Sequence, residues 1–146
     1  PGGSVGQALN ISNYFVPSGK VLEIRYKKNQ PDIYYSTGDI KFEKTVVLID
    51  SNTASAAEIL SGAIQDTNSG TLIGTTTYGK AVVQDLYPLK NQEAIKLTIA
   101  KYILPSGRDI NAKGINPNIK LDYKIPEKGS NKDNQLELAL EYISKQ

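Results

Sequence analysis

The sequence predicts an α/β protein with a partly parallel sheet flanked by helices. The run TVVLID at 45–50 is continuous and rich in β-branched residues, which is typical of a strand buried on both faces. It leads directly into a helical pattern over 51–68, and strand and helix patterns alternate elsewhere along the chain. The chain has 146 residues, of which 39% are apolar, and this length and composition predict a single domain over 1–146 with one packed core.

The first third of the chain predicts a helix and a hairpin. A Gly-rich turn precedes a short helix from about Val5 to Phe15. The segment KVLEIRYKK at 20–28 alternates between apolar and polar residues, which predicts a strand, and PDIYYS at 31–36 is its predicted hairpin partner.

The amphipathic helix after TVVLID is the clearest periodic element. Its apolar residues fall at positions i, i+3, i+4, i+7 and i+8, and they are Ala56, Ile59, Leu60, Ala63 and Ile64. Glu58, in the first turn, is predicted to brace that turn or to pair with a base.

The second half predicts extended segments, loops and a closing helix. The extended segments are 71–74, 81–89 and 94–104, and a polar loop follows over 111–121. A polar linker over 126–134 leads to a docking helix over 135–146.

The composition excludes several classes of function. The net charge of +2 is small and the basic residues are scattered, so no nucleic-acid partner is predicted. No apolar run approaches the roughly 20 residues that cross a bilayer, and no targeting signal is recognised. Without His or Cys, a Ser-His-Asp triad and a thiolate zinc site are impossible, and no acidic pair predicts a metal. Any nucleophilic catalysis then needs a Lys, a carboxylate or a terminal amine as its base.

Ser55 is a candidate nucleophile because it lies between a buried strand and the start of a helix. The free N–H groups of a first helical turn hold negative charge well, so the amide of Ala56 is a candidate oxyanion donor. The alternative is structural, since Ser51, Asn52, Thr53 and Ser55 are all candidates for the helix N-cap.

Lys80 is a candidate base because it follows five uncharged residues and enters an apolar strand. Partial loss of solvation there favours a neutral amine, which accepts a serine proton. The alternative is an ordinary solvated surface lysine.

Two motifs carry a resemblance to a known family. TASAAEI at 53–59 and GKAVVQ at 79–84 resemble the patterns of the C-terminal processing peptidases, or tail-specific proteases. These are serine peptidases with a Ser-Lys dyad on a crotonase-like (Clp-like) α/β core. The resemblance places the nucleophile on Ser55, the base on Lys80, 25 positions later, and the amide that orients the base on Gln84.

Further segments follow the same family order, so the resemblance covers nearly the whole chain. They are PGG, SGAIQD, IGTTTYGK, KLTIAKYILPSGRDI, KGINPNI and QLELALEYI. The resemblance adds an amide of the Gly2-Gly3 turn as a second oxyanion donor. The sequence departs from the family pattern at Thr53, Ala57 and Ala81, none of which removes a reacting group.

The resemblance implies an endopeptidase that cleaves unfolded or C-terminally tagged proteins in an extended pose. It implies no cofactor, a polypeptide partner, a possible homo-oligomer, and a periplasmic, cell-surface or secreted location. Family members normally carry upstream helices and a PDZ domain, which this chain lacks, so it is interpreted as a C-terminal core fragment. The alternative function is an inactive peptidase-like module that serves dimerisation or peptide binding.

Overall fold

The structure is a computed structural model that describes residues 1–122, 124 and 132–145. In chain order its elements are α1 (Val5–Ser12), β1 (Gly19–Tyr26), β2 (Asp32–Ser36), β3 (Val46–Ile49), α2 (Ala56–Asp66), β4 (Thr71–Gly74), β5 (Val82–Pro88), a short 3-10 helix (Lys90–Gln92), β6 (Ala94–Ile103), β7 (Ile119–Lys120) and α3 (Asn134–Ser144).

A parallel sheet and an antiparallel sheet make up the fold, which confirms the predicted α/β class with a partly parallel sheet. The parallel sheet has the order β3-β4-β7, and helix α2 is the crossover between β3 and β4. The antiparallel sheet has the order β2-β1-β6-β5 and contains the predicted β1–β2 hairpin. Because β3 and β4 are parallel, the segments that leave their carboxyl ends start from the same sheet edge.

The core lies where the two sheets meet α2. Among the described residues, its fully buried large side chains are Tyr102, Leu22, Ile49, Ile59, Ile64, Leu72, Ile73, Leu104 and Ile115. The amphipathic pattern of α2 is confirmed, since Ile59, Ala63 and Ile64 are all buried. At the end of α2, Asp66 pairs with Arg108 and accepts the Ser106 amide at 2.9 Å, which ties the helix to the turn after β6.

The structure corrects the prediction that TVVLID is buried on both faces. Among the described strands, β3 lies at an edge of the parallel sheet and pairs with β4 alone, and the side chain of Leu48 is 38% exposed. The apolar run nevertheless borders a cavity of about 390 Å³ against α2, whose lining includes Val47, Leu60 and Ile64.

Several elements also differ from the sequence prediction. Helix α1 ends at Ser12 rather than near Phe15. The predicted loop 111–121 contains the short strand β7. Helix α3 begins at Asn134, one residue early, because Asp133 caps it by accepting the amides of Gln135 and Leu136. Residues 126–131 of the predicted linker, and residue 146 of the predicted helix, lie outside the described residues.

Within the described part of the chain, no helix combines the length and the apolar character that crossing a membrane requires.

Candidate active site

Ser55 occupies a strained position between the turn after β3 and the first residue of α2. Its φ is 57°, a left-handed value that is uncommon for a residue other than glycine. Such a conformation persists only where the surroundings hold it. Here the Ser55 amide donates to Oε2 of Glu58 at 2.8 Å, and the Glu58 amide donates to the Ser55 carbonyl at 2.8 Å.

Asp50 shapes the turn that leads to Ser55. Its carboxylate accepts the amides of Asn52 and Thr53, at 2.9 and 3.0 Å, and the side-chain amide of Asn52 at 3.1 Å. Burial alone would raise the pKa of Asp50, but the hydrogen bonds from Asn52 and Thr53 outweigh it and hold this pKa below its usual value. Of the four N-cap candidates, Asn52 and Thr53 thus bind Asp50, and Ser55 takes the N-cap position.

Lys80 lies at the end of the loop 75–80, just before β5, and is half-buried. The loop is bound to the Ser55 turn directly, since the Tyr78 amide donates to the Thr53 carbonyl at 2.9 Å. The Lys80 amide donates to Oε2 of Glu58 at 2.9 Å. The segments that follow β3 and β4 therefore both bind the carboxylate of Glu58, through the amides of Ser55 and Lys80.

Glu58 is fully buried and accepts four hydrogen bonds. Besides the amides of Ser55 and Lys80 on Oε2, its Oε1 accepts the Thr77 hydroxyl at 2.6 Å and the Gly79 amide at 2.7 Å. The predicted bracing of the first turn is confirmed. The structure adds that the same side chain holds the loop that carries Lys80.

Tyr102, on β6, forms a second bridge between the two halves of the site. Its hydroxyl lies 2.7 Å from the Lys80 carbonyl and 3.1 Å from the Ser55 carbonyl, and it donates to these oxygens. Burial, and then the negative charge of Glu58, raise the pKa of Tyr102 well above its usual value. The hydroxyl therefore keeps its proton and remains a donor.

Gly2 lies directly against the Ser55 turn. A Cβ atom on Gly2 would clash with the Ala54 carbonyl and would lie 2.7 Å from the Ala56 nitrogen and 2.8 Å from the Ser55 Cβ. Only glycine fits so close to this turn. Gly3 has open space around it.

Gln84 lies on β5 and is exposed. Its side-chain amide donates to the Thr98 hydroxyl on β6 at 3.4 Å. The pairing of β5 with β6 changes register between Val83 and Gln84, where Ile99 of β6 is the extra residue, and Lys80 precedes the first residue of β5. The proposed contact between the Gln84 amide and the Lys80 amine stays a prediction.

Sequence reasoning missed Tyr102 and Thr77. Tyr102 reads as one more apolar position of a strand, and Thr77 as one of three consecutive threonines. Their partners lie on other elements, so no local spacing identifies them. Among the described residues, no group of three acidic side chains is placed to hold a metal ion.

Comparison with known proteins identifies the family. The model of peptidase family S41 matches residues 1–121, and the chain belongs to that family. It is 39% identical over 131 residues to a carboxy-terminal-processing protease of Bartonella bacilliformis, covering 88% of this chain and 30% of that protein. It is also 39% identical over 132 residues to the carboxy-terminal processing protease CtpA of Bacillus subtilis, covering 86% of this chain and 28% of that protein.

A solved structure extends the likeness. The structure of the photosystem II D1 C-terminal processing protease matches with a TM-score of 0.76 and 33% identity, over 83% of this chain and 32% of that chain. The resemblance predicted from the sequence is confirmed at the level of the family. The chain spans only about a third or less of the length of these relatives.

Proposed function

We propose that this chain is the serine endopeptidase core of a C-terminal processing peptidase, with Ser55 as nucleophile and Lys80 as base. The observation that carries the proposal is the sharing of Glu58. The backbone amides of Ser55 and Lys80 donate to the same carboxylate oxygen, at 2.8 and 2.9 Å. The two backbone nitrogens are therefore no farther apart than the sum of these two distances. The family and the names of its relatives support a peptidase.

Acyl transfer is the reaction that this arrangement supports. The neutral amine of Lys80 accepts the proton of the Ser55 hydroxyl, and Ser55 Oγ attacks the carbonyl carbon of a peptide bond. When the tetrahedral intermediate collapses, protonated Lys80 passes this proton to the leaving amine. Water then hydrolyses the acyl-enzyme by the same route. Gln84 is proposed to orient the Lys80 amine.

The oxyanion of the intermediate needs two N–H donors. The Ala56 amide belongs to the first turn of α2, where N–H groups have no partner within the helix. The close approach of Gly2 to Ala56 supports an amide of the Gly2-Gly3 turn as the second donor. Each such donor is worth roughly 10² to 10³ in rate.

The substrate is proposed to be an unfolded or C-terminally tagged polypeptide bound in an extended pose. The proposed location is periplasmic, cell-surface or secreted, and a homo-oligomer is compatible with the family. Fractionation of cells that express the natural protein tests the location, and recovery in the cytoplasm alone would contradict it.

The test of the function is cleavage of an unstructured peptide with an apolar C-terminus, followed by mass spectrometry. Cleavage by the 146-residue chain that is lost in Ser55→Ala supports the proposal. If neither this chain nor a full-length relative carrying the same residues cleaves in a Ser55-dependent way, the dyad is wrong. Cleavage by the longer protein alone would favour the second candidate for this chain, an inactive module for dimerisation or peptide binding, because the chain covers so little of its relatives.

A further inference from the structure

Gln135, in the first turn of α3, reaches into the carboxyl edge of the parallel sheet. Its side chain is buried, with 8% exposed. The side-chain nitrogen donates to the Ile49 carbonyl and to the Ile73 carbonyl, both at 3.0 Å. A carboxamide nitrogen has two hydrogens, so one group serves both carbonyls.

These two carbonyls belong to the strand ends that carry the candidate active site. Ile49 is the last residue of β3 and precedes the turn that leads to Ser55. Ile73 is followed by Gly74 and the loop that leads to Lys80. Ile49 also accepts the Thr75 amide at 3.1 Å, so the strand pairing ends where the Gln135 side chain binds.

The fit around Gln135 leaves little freedom for the strand ends to move. A Cβ atom on Gly74 would clash with the Ile49 carbonyl and with the Gln135 side-chain nitrogen. Asp133 fixes the start of α3 by accepting the Gln135 amide at 3.0 Å. The hydroxyls of Tyr142 and Thr71, 3.2 Å apart, hold the other end of α3 against β4.

We propose that Gln135 is a positioning residue, through which α3 sets the separation of the two strand ends that carry Ser55 and Lys80. Helix α3 follows the part of the chain that the family match covers, so this assignment makes the C-terminal helix part of the framework of the active site. The consequence for catalysis rests on the proposed function. The coupling itself, by which α3 sets the separation of the two strand ends, does not.

The coupling is tested by amide hydrogen exchange in Gln135→Met, which keeps the length of the side chain and removes both donors. We expect the Thr75 and Tyr78 amides to exchange on the order of tenfold faster, the effect of losing buried hydrogen bonds. Amides paired between β1 and β2 keep their rates. Leu140→Ala, on the exposed face of the same helix, is the matched control and leaves both groups unchanged.

Uniform acceleration of all slow amides would indicate a general loss of stability and would overturn the proposal, as would unchanged rates at Thr75 and Tyr78. Gln135→Asn, which keeps the donors on a shorter side chain, provides the second variant if Gln135→Met does not fold. It should show the same local pattern.

Peptide cleavage separates this proposal from the proposed function. A positioning role lowers kcat about tenfold in Gln135→Met with little change in KM. If the wild-type chain cleaves with Ser55 dependence but kcat does not fall, the function stands and the positioning role is wrong. If the wild-type chain is inactive while the local exchange pattern appears, the proposed function fails for this chain and the coupling through α3 stands.

Discussion

Ser55 and Lys80 donate their backbone amides to the same oxygen, Oε2 of Glu58, at 2.8 and 2.9 Å. The two residues leave different strands of the parallel sheet, so nothing in their local sequence requires this meeting. The shared carboxylate gives the proposed dyad a fixed backbone framework, and several consequences can be measured.

Glu58→Gln should lower both stability and activity. In Glu58, Oε1 and Oε2 each accept at least one backbone N–H group. In the Glu58→Gln variant an NH₂ group replaces one of these oxygens, so at least one backbone N–H group loses its acceptor. An unsatisfied buried donor costs about 1–3 kcal/mol, which urea unfolding measures. The exposed Glu93→Gln is the matched control. A Glu58→Gln variant with wild-type stability would contradict the assigned hydrogen bonds.

Tyr102→Phe should reduce the rate of peptide cleavage with only a small loss of stability. The substitution removes the hydroxyl that reaches the carbonyls of Ser55 and Lys80 and keeps the buried ring. The loss of one such hydrogen bond costs about 1 kcal/mol. Tyr35→Phe, at a side chain that is 65% exposed, is the control. Equal kcat values for Tyr102→Phe and wild type would show that this bridge does not position the dyad.

Gly2→Ala should impair acylation, because the added methyl group has no room against Ala54 and Ala56. Displacement of the N-terminal turn removes one proposed oxyanion donor, which corresponds to roughly a 10²-fold loss in kcat. Gly6→Ala, whose nearest neighbouring atom would be 3.7 Å away, controls for the change of residue type. Unchanged kcat in Gly2→Ala would rule out the close packing of this turn.

The turn at Asp50 should make stability depend on pH in the acid range. Because the folded state lowers the pKa of Asp50, the stabilisation is fully present above the unfolded value of about 3.9. It is lost as the pH falls through the lower folded-state pKa. Urea unfolding of wild type and Asp50→Asn should therefore give a stability difference that is constant near neutral pH and shrinks on acidification. A difference that grows toward low pH would contradict a lowered pKa of Asp50 in the folded state.

How much of the structure can be predicted from the sequence depends on how far apart in the chain the interacting residues are. The period of α2 and the position of Ser55 before it follow from residues within one helical length, and both are found. The burial of β3 was overestimated, because a β-branched run does not reveal how many strands pair with it. The bridges made by Tyr102 and Gln135 join distant segments, so only the folded chain reveals them.

The Ser55-Lys80 dyad is tested most directly by the reaction of the chain with a fluorophosphonate, followed by peptide mapping in a mass spectrometer. We expect one covalent adduct on Ser55, which Ser55→Ala abolishes. Lys80→Ala should slow the reaction by about 10² or more, the usual effect of losing a general base, whereas the exposed Lys113→Ala should not. No adduct on Ser55, or an adduct that forms at the same rate without Lys80, would contradict the Ser-Lys dyad.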